Sequence, residues 1–174
     1  MNSYIVITGT FVIIIFSWFF SIKHGRYHGI ARFFSFESIF LLFLLNYQVW
    51  FKDPFGIIHL ASWFLLIISI YPVTAGFILL KKAGKPDNNF ENTTVLVDSG
   101  IYAYIRHPLY LSLILLGTGI MLKDAAPIQL LLGLVNLAAI YTTAIIEEKE
   151  MITKFGDSYR EYMRKTKMFI PHII

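Results

Sequence analysis

The chain has 174 residues, 56% of them hydrophobic and only 15% charged, with a formal net charge of +4 and no cysteine. A soluble domain carries about 25% charged residues, so this composition excludes an ordinary water-soluble globule. The missing cysteine excludes disulfides, a thiolate nucleophile and cysteine-ligated metal, and the positive charge lies in short patches between apolar blocks, a pattern of membrane orientation rather than of nucleic-acid binding.

A spanning helix needs roughly 20 mostly apolar residues, and five such blocks follow one another: residues 4–22, 33–51, 57–80, the shorter 108–122, and 127–146. The first is too long and continuous for a cleaved signal peptide and lacks its basic leader and small-residue cleavage site. Pro72 predicts a kink in the third span, because proline removes a backbone hydrogen bond and crowds the preceding turn. Pro108 and Pro127 stand instead at predicted helix starts, where proline is tolerated. Thirteen of the 15 basic residues follow the first, third and fifth blocks, against Lys52 and Lys123 on the other side. The positive-inside rule then places the N-terminus outside and the C-terminus in the cytoplasm, consistent with five spans. The expected fold is an all-α membrane protein of one domain, 1–174, with three spans in 1–80 and a functional core in 81–174.

Two segments fall on the predicted cytoplasmic side. Residues 81–107 hold turn formers (Gly84, Pro86, Asp87, Asn88, Asn89) and then a short extended stretch, Val95, Leu96 and Val97. The Asn92 glycosylation signal there lies on the wrong side for use. In the tail, 147–174, Met151, Ile152, Phe155, Tyr159, Tyr162 and Met163 recur near the helical period, with Gly156 as a break. This reads as an amphipathic helical tail against the cytoplasmic face.

Chemistry-bearing residues cluster at that same side. Glu147 and Glu148 leave the fifth span, while Arg106 and His107 enter the fourth among Tyr102, Tyr104 and Tyr110. Taken singly, these are an interfacial carboxylate pair, a basic anchor and belt aromatics, with Glu150 and Lys154 spaced as a helix ion pair. Taken together, they bracket a predicted hairpin with its turn at 123–126, and carboxylates facing a bundle interior mark functional sites. Basic and acidic clusters facing each other could hold a zwitterion, carboxylate toward Arg106 or His107 and ammonium toward Glu147. Gly117 and Gly119 would admit a partner helix or a ligand close to the backbone. Glu37 reads as an interfacial residue of the second span. His24, His28, His59 and His172 show no metal spacing beyond the i, i+4 pair of the first two, which reads as a basic connection; P-loop, dinucleotide and nucleophile-elbow patterns are missing. Metal is not expected.

"LVDSGIYAYIRHPLYLSLILLGTGIML" at 96–122 and "EEKEMITKFGDSYREYMRKTKMFIP" at 147–171 resemble the isoprenylcysteine carboxyl methyltransferase and phospholipid methyltransferase group of integral membrane enzymes. The matching pieces are G-x-Y, R-H-P-x-Y, G-x-G, the glutamate pair, F-G-x-x-Y-x-x-Y and a final I-P, over about 80 C-terminal residues. The resemblance implies S-adenosylmethionine as methyl donor in a cytoplasm-facing pocket. Carried over by position, Val95, Leu96 and Val97 would line the cofactor, Tyr102 and the turn Arg106, His107, Pro108, Leu109 and Tyr110 would clasp it, and Glu147 would contact it from the fifth span. Thr143 stands where the isoprenylcysteine enzymes carry an arginine, one turn before the first glutamate. Thr143 and Glu148 are therefore substrate-side candidates, and a prenylcysteine-type carboxylate, a lipid amine and a thiol all stay open as acceptors. The expected partners are a lipophilic or lipidated substrate and membrane lipids, with no nucleic acid. The expected location is the cell membrane of a prokaryote or the endoplasmic reticulum of a eukaryote. Two alternatives remain at this stage: a nicotinamide-dependent membrane reductase, since sterol reductases resemble the R-H-P-x-Y block, and a non-catalytic membrane scaffold.

Overall fold

A computed structural model describes residues 3–87, 93–171 and 173; Asn88, Asn89, Asn92 and His172 lie outside them. The chain is all-helical apart from isolated bridges among the described residues: α1 (Ser3–Phe20), α2 (His28–Asn46), α3 (Ile57–Ile68), α4 (Ile70–Ala83), α5 (Pro108–Met121), α6 (Pro127–Phe155) and α7 (Asp157–Lys165). Among the described residues, four helical runs are long and apolar enough to cross a membrane: Ser3–His24, His28–Val49, Ile57–Ala83 and Pro127–Phe155. The apolar α5 has 14 residues, about 21 Å at 1.5 Å per residue, short of a hydrocarbon layer of about 30 Å.

Three boundaries differ from those expected, each for a physical reason. The third span breaks at Ser69, where α3 gives way to α4; Pro72 has no N–H for the Ile68 carbonyl, so the ladder fails three residues before the proline itself. α2 starts at His28 instead of 33 because its first turn is tied to α6, through His28 Nδ1 and Glu150 Oε2 at 2.8 Å. α6 does not stop at 146. Its 29 residues run to Phe155 and end at Gly156, whose φ of +59° suits a residue without a side chain. At about 43 Å, α6 outruns the bilayer core and carries the glutamates on a rigid helical extension. Residues 95–97 form no strand; a single bridge joins Pro86 to Thr93, and Gly84 O accepts from the amides of Thr94 and Val95.

α2 packs along α6, α5 lies against both, α1 covers α2, and α3 with α4 covers α5. The outer faces are apolar, with Phe11, Ile67 and Leu134 each more than 60% exposed. The interior is polar by comparison. Ser35 Oγ donates to Asn136 Oδ1 at 2.6 Å, Asn136 Nδ2 to Leu113 O at 3.2 Å, Asn46 Nδ2 to Ile120 O at 2.7 Å, and Ser62 Oγ to Gly119 O at 2.6 Å. In lipid, where burying leucine gains little, such bonds and close packing of small residues hold helices together at about 0.6 kcal/mol per bond. Gly117 and Gly119 serve that packing: a Cβ on Gly117 would meet Asn136, and one on Gly119 would lie 2.9 Å from Leu66 Cγ and 3.2 Å from its backbone nitrogen. Gly119→Ala should therefore force α3 off α5 and cost about 1–3 kcal/mol, read as a lower melting midpoint in detergent; an unchanged midpoint would mean the two helices part freely.

At the end of the bundle remote from the glutamates, Lys123 is buried with its ammonium 3.5 Å from the centre of the Trp63 ring and 5.6 Å from that of Trp50. The indole faces attract the cation, and burial lowers its pKa.

Candidate functional site

The site is built around the start of α5. Pro108 occupies the first helical position and holds His107 out of the helical region, at φ −124° and ψ 61°. The backbone just before it is gripped by the tail. Lys167 N donates to Tyr104 O at 3.1 Å, Arg106 N to Lys167 O at 2.8 Å and His107 N to Met168 O at 3.1 Å, a short parallel pairing. Phe169 then plugs the core against Tyr110, Ile140 and Ala144. The amphipathic tail thus turns its apolar side inward, with Tyr159 and Tyr162 buried at 4% and 7% exposure, rather than laying it on a membrane surface. The Tyr162 hydroxyl donates to Tyr102 O at 2.7 Å.

Successive helix residues point about 100° apart, while residues three apart share a side. Glu147 and Glu150 therefore face α2, and Glu148 faces the start of α5. Glu148 Oε1 accepts from Arg106 Nε at 2.6 Å and lies 3.2 Å from His107 Nε2. Arg106 Nη1 also donates to Thr166 O at 2.6 Å, so one buried guanidinium ties α6, α5 and the tail. Glu147 Oε1 lies 3.2 Å from Arg26 Nη2, and its other oxygen 3.7 Å from His107 Nδ1, an ion-pair distance rather than a hydrogen bond. Glu150 binds His28 and lies 3.5 Å from Arg26 Nε. His107 stacks on Tyr110, ring centres 5.3 Å apart. Burial first, then nearby charge including Glu147, raises the phenols of Tyr102 and Tyr159 far above the usual range; burial does the same for Tyr162. All three remain neutral hydroxyls at working pH.

These side chains enclose a cleft of about 690 Å³, its open mouth included. Leu96, Val97, Tyr102, Arg106, His107, Pro108, Leu109, Tyr110 and Glu147 line it. Val95 does not; it is 43% exposed outside the cleft. Nor do Thr143, fully buried with its hydroxyl on Ala139 O at 2.7 Å, and Glu148, which sits beneath Arg106 and His107. The expected opposition of Arg106 and Glu147 resolves differently: Arg106 takes Glu148, and Glu147 is met by Arg26 and His107. The lining also includes Arg32, Leu80, Thr93, Met151, Phe155, Tyr159 and Tyr162, so the cleft is not confined to residues 81–174. The i, i+4 pair Met151 and Phe155 and the i, i+3 pair Tyr159 and Tyr162 carried a signal as a stripe. For Arg32 the only sequence signal is a charge at the edge of an apolar run.

The arrangement suits a ligand that is part zwitterion and part apolar ring. Glu147 offers a carboxylate at the cleft wall, the aromatic faces of Tyr102, Tyr110 and His107 suit a cation such as a sulfonium, and Leu96, Val97 and Leu109 offer apolar surface. Among known proteins, the family model described as phospholipid methyltransferase matches residues 57–158, more than half of the chain. The protein-S-isoprenylcysteine O-methyltransferase of Schizosaccharomyces pombe is 38% identical over 81 residues, 45% of this chain and 34% of that protein. Methanethiol S-methyltransferase 1 of Bradyrhizobium diazoefficiens is 34% identical over 71 residues, 41% of this chain and 24% of its own length. The Saccharomyces cerevisiae protein-S-isoprenylcysteine O-methyltransferase is 34% identical over 84 residues, 48% and 35% of the two chains. The matches thus span a quarter to a third of the length of these curated relatives. No solved structure matches the chain.

Proposed function

The chain belongs to the phospholipid methyltransferase family, and on that premise we propose that it is an integral membrane methyltransferase that takes S-adenosylmethionine into the cleft and methylates a lipophilic acceptor. The observation that carries this reading is the convergence of Glu147, His107 and the tyrosines on one cleft at the charged end of the bundle. Glu147 would hold the ammonium of the cofactor, Tyr102, His107 and Tyr110 would surround its cationic sulfur, and Leu96 and Val97 would pack its apolar ring. When bound, the cofactor supplies an electrophilic methyl group. The chain's own task is orientation and exclusion of water, effects worth about 7–11 kcal/mol in favourable cases. The tail contributes to exclusion, since Tyr159 and Tyr162 wall the cleft on the side away from the bundle. Arg106 and Glu148 act beneath the site by holding the start of α5 to α6.

In this reading α5 is a fifth, short crossing, and the excess of Lys and Arg puts the cleft on the cytoplasmic side. The relatives are named for oxygen and sulfur acceptors, which supports a carboxylate or a thiol over an amine here.

Calorimetry on the purified protein in detergent tests the cofactor. S-adenosylhomocysteine should bind and NADPH should not; a folded protein that ignores S-adenosylhomocysteine, or that takes NADPH in its place, overturns the proposal.

A further inference from the structure

An apolar groove of about 1580 Å³, its open side included, runs between α1 and α2 on one side and α3, α4 and α5 on the other. It extends from Phe16 and Phe36 to Trp50 and Trp63, at the end of the bundle remote from the glutamates. Its lining is apolar or aromatic apart from Ser69, whose hydroxyl already donates to Leu66 O at 2.7 Å. Val12 and Ile67, which line it, are each more than half exposed. From Phe36 to Trp50 the lining follows α2 and the turn after it, about 20 Å at helical rises. One leaflet's share of a hydrocarbon layer is about 15 Å, so the groove is long enough for one acyl chain.

Lys123 stands at the remote end. Its ammonium lies 3.5 Å from the centre of the Trp63 ring and 5.6 Å from that of Trp50, the two indoles that close the groove there. The residue is 3% exposed, and among the described residues its ammonium has no hydrogen-bond acceptor and no carboxylate. The polar neighbours turn elsewhere. Asp124 lies 3.5 Å from Gln129 Nε2, His59 Nε2 is 3.2 Å from the Lys123 carbonyl, and Lys52 and Asp53 are exposed. A lysine at a membrane edge ordinarily extends its stem to bring the ammonium to water; this one turns inward. Indole faces attract a cation but carry no net charge, so the buried ammonium has no counter-charge from the chain itself. The length of α5 bears on what meets it. With 14 residues α5 underspans the hydrocarbon layer, and a short span thins the bilayer around it, drawing head groups inward toward Lys123.

We propose that the groove holds one phospholipid of the leaflet at this remote end, its phosphodiester on Lys123 and one acyl chain running toward Phe16 and Phe36. The lipid is a structural partner and not an acceptor, because its head lies at the opposite end of the bundle from the Glu147 cleft. The inference goes beyond the methyltransferase reading and does not depend on it. A phosphodiester gives the ammonium a charge-assisted acceptor, and basic pockets between spans take lipid phosphates. The flexible four-carbon stem of lysine lets the ammonium meet the phosphate at the rim of the Trp63 ring. The acyl chain covers the apolar surface that α1 and α3 leave open.

Native mass spectrometry of the delipidated protein in detergent reads the head group. Dioleoylphosphatidylglycerol and dioleoylglycerol are titrants with identical chains, and inorganic phosphate is the free anion. The parent should bind one phosphatidylglycerol at least tenfold tighter than dioleoylglycerol, and phosphate should not displace it. Lys123→Met should weaken phosphatidylglycerol at least fivefold, leave dioleoylglycerol within twofold, and leave S-adenosylhomocysteine within twofold. Lys123→Arg should keep most of the preference, and Lys52→Met, at the exposed cation of the same end, should change neither lipid by more than twofold. Should Lys123→Met fail to fold, tryptophan emission of the parent decides: phosphatidylglycerol brominated at mid-chain must quench it at one equivalent, and dioleoylglycerol brominated alike must not. Equal binding of the two lipids overturns the proposal, as does a preference that survives Lys123→Met. An equal loss in Lys52→Met shows general attraction to the membrane surface and overturns it, and so does displacement by inorganic phosphate. A tenfold loss of S-adenosylhomocysteine in a folded Lys123→Met places Lys123 in the service of the cleft and overturns it as well.

Discussion

Glu148→Ala is expected to be the most destabilising single change near the cleft, by about 3–5 kcal/mol. Removing one member of a buried ion pair leaves the other charged and uncompensated, and Arg106 is held within the protein by Glu148 at 2.6 Å. The carbonyl of Thr166 would remain as its strong partner, and His107 would lose its 3.2 Å contact as well. For a chain of this size that loss corresponds to a fall in melting midpoint on the order of 10 °C, measured by thermal unfolding in detergent. Arg106→Ala added to Glu148→Ala should give less than the sum of the two, because the second substitution removes the charge stranded by the first. A single variant that melts within a degree or two of the parent would show that the clamp does not hold α5 to α6.

The second expectation concerns affinity. Glu147→Gln should weaken S-adenosylhomocysteine binding tenfold or more, the amount for one charge-assisted hydrogen bond of about 1.5–3 kcal/mol. Glu150→Gln is the control. It lies on the same side of α6, shares Arg26 with Glu147 and binds His28, yet does not line the cleft. It should therefore leave affinity within twofold while lowering stability. His107→Ala should also lose about tenfold, through its stacking on Tyr110 and its 3.7 Å approach to Glu147. If Glu147→Gln and Glu150→Gln weaken binding equally, α6 acts through its general attachment to α2, and Glu147 has no direct part in holding the ligand.

Much of the site was legible because its residues lie in two short stretches. Nine of the ten positions carried over for the cofactor line one cleft, since 96–110 folds back on itself and brings neighbours in sequence together in space. Val95 fails for a local reason. Its amide is tied to Gly84 O and its side chain is left 43% exposed, while the neighbouring Leu96 and Val97 turn into the cleft. Thr143 illustrates a different limit: equivalence of position along a helix says nothing of what the side chain meets. Here the hydroxyl turns back to Ala139 O on its own helix.

Composition and periodicity by themselves determined that this is a helical membrane protein with its polar chemistry at one end, because water and lipid sort side chains by local sequence alone. They placed the proline starts of α5 and α6, the break at Gly156, and the glutamates opposite the Arg106–His107 turn. Only the tertiary structure decided who pairs with whom. Arg106 goes to Glu148, Arg26 comes from 121 residues away to Glu147, and Arg32 comes from α2 into the lining of the cleft. The physical reason is that a charge near a lipid boundary must find a counter-charge or a polar partner, and many arrangements satisfy that rule equally in sequence. Packing of α2 along α6 selects one of them, by bringing into contact faces that no local pattern relates.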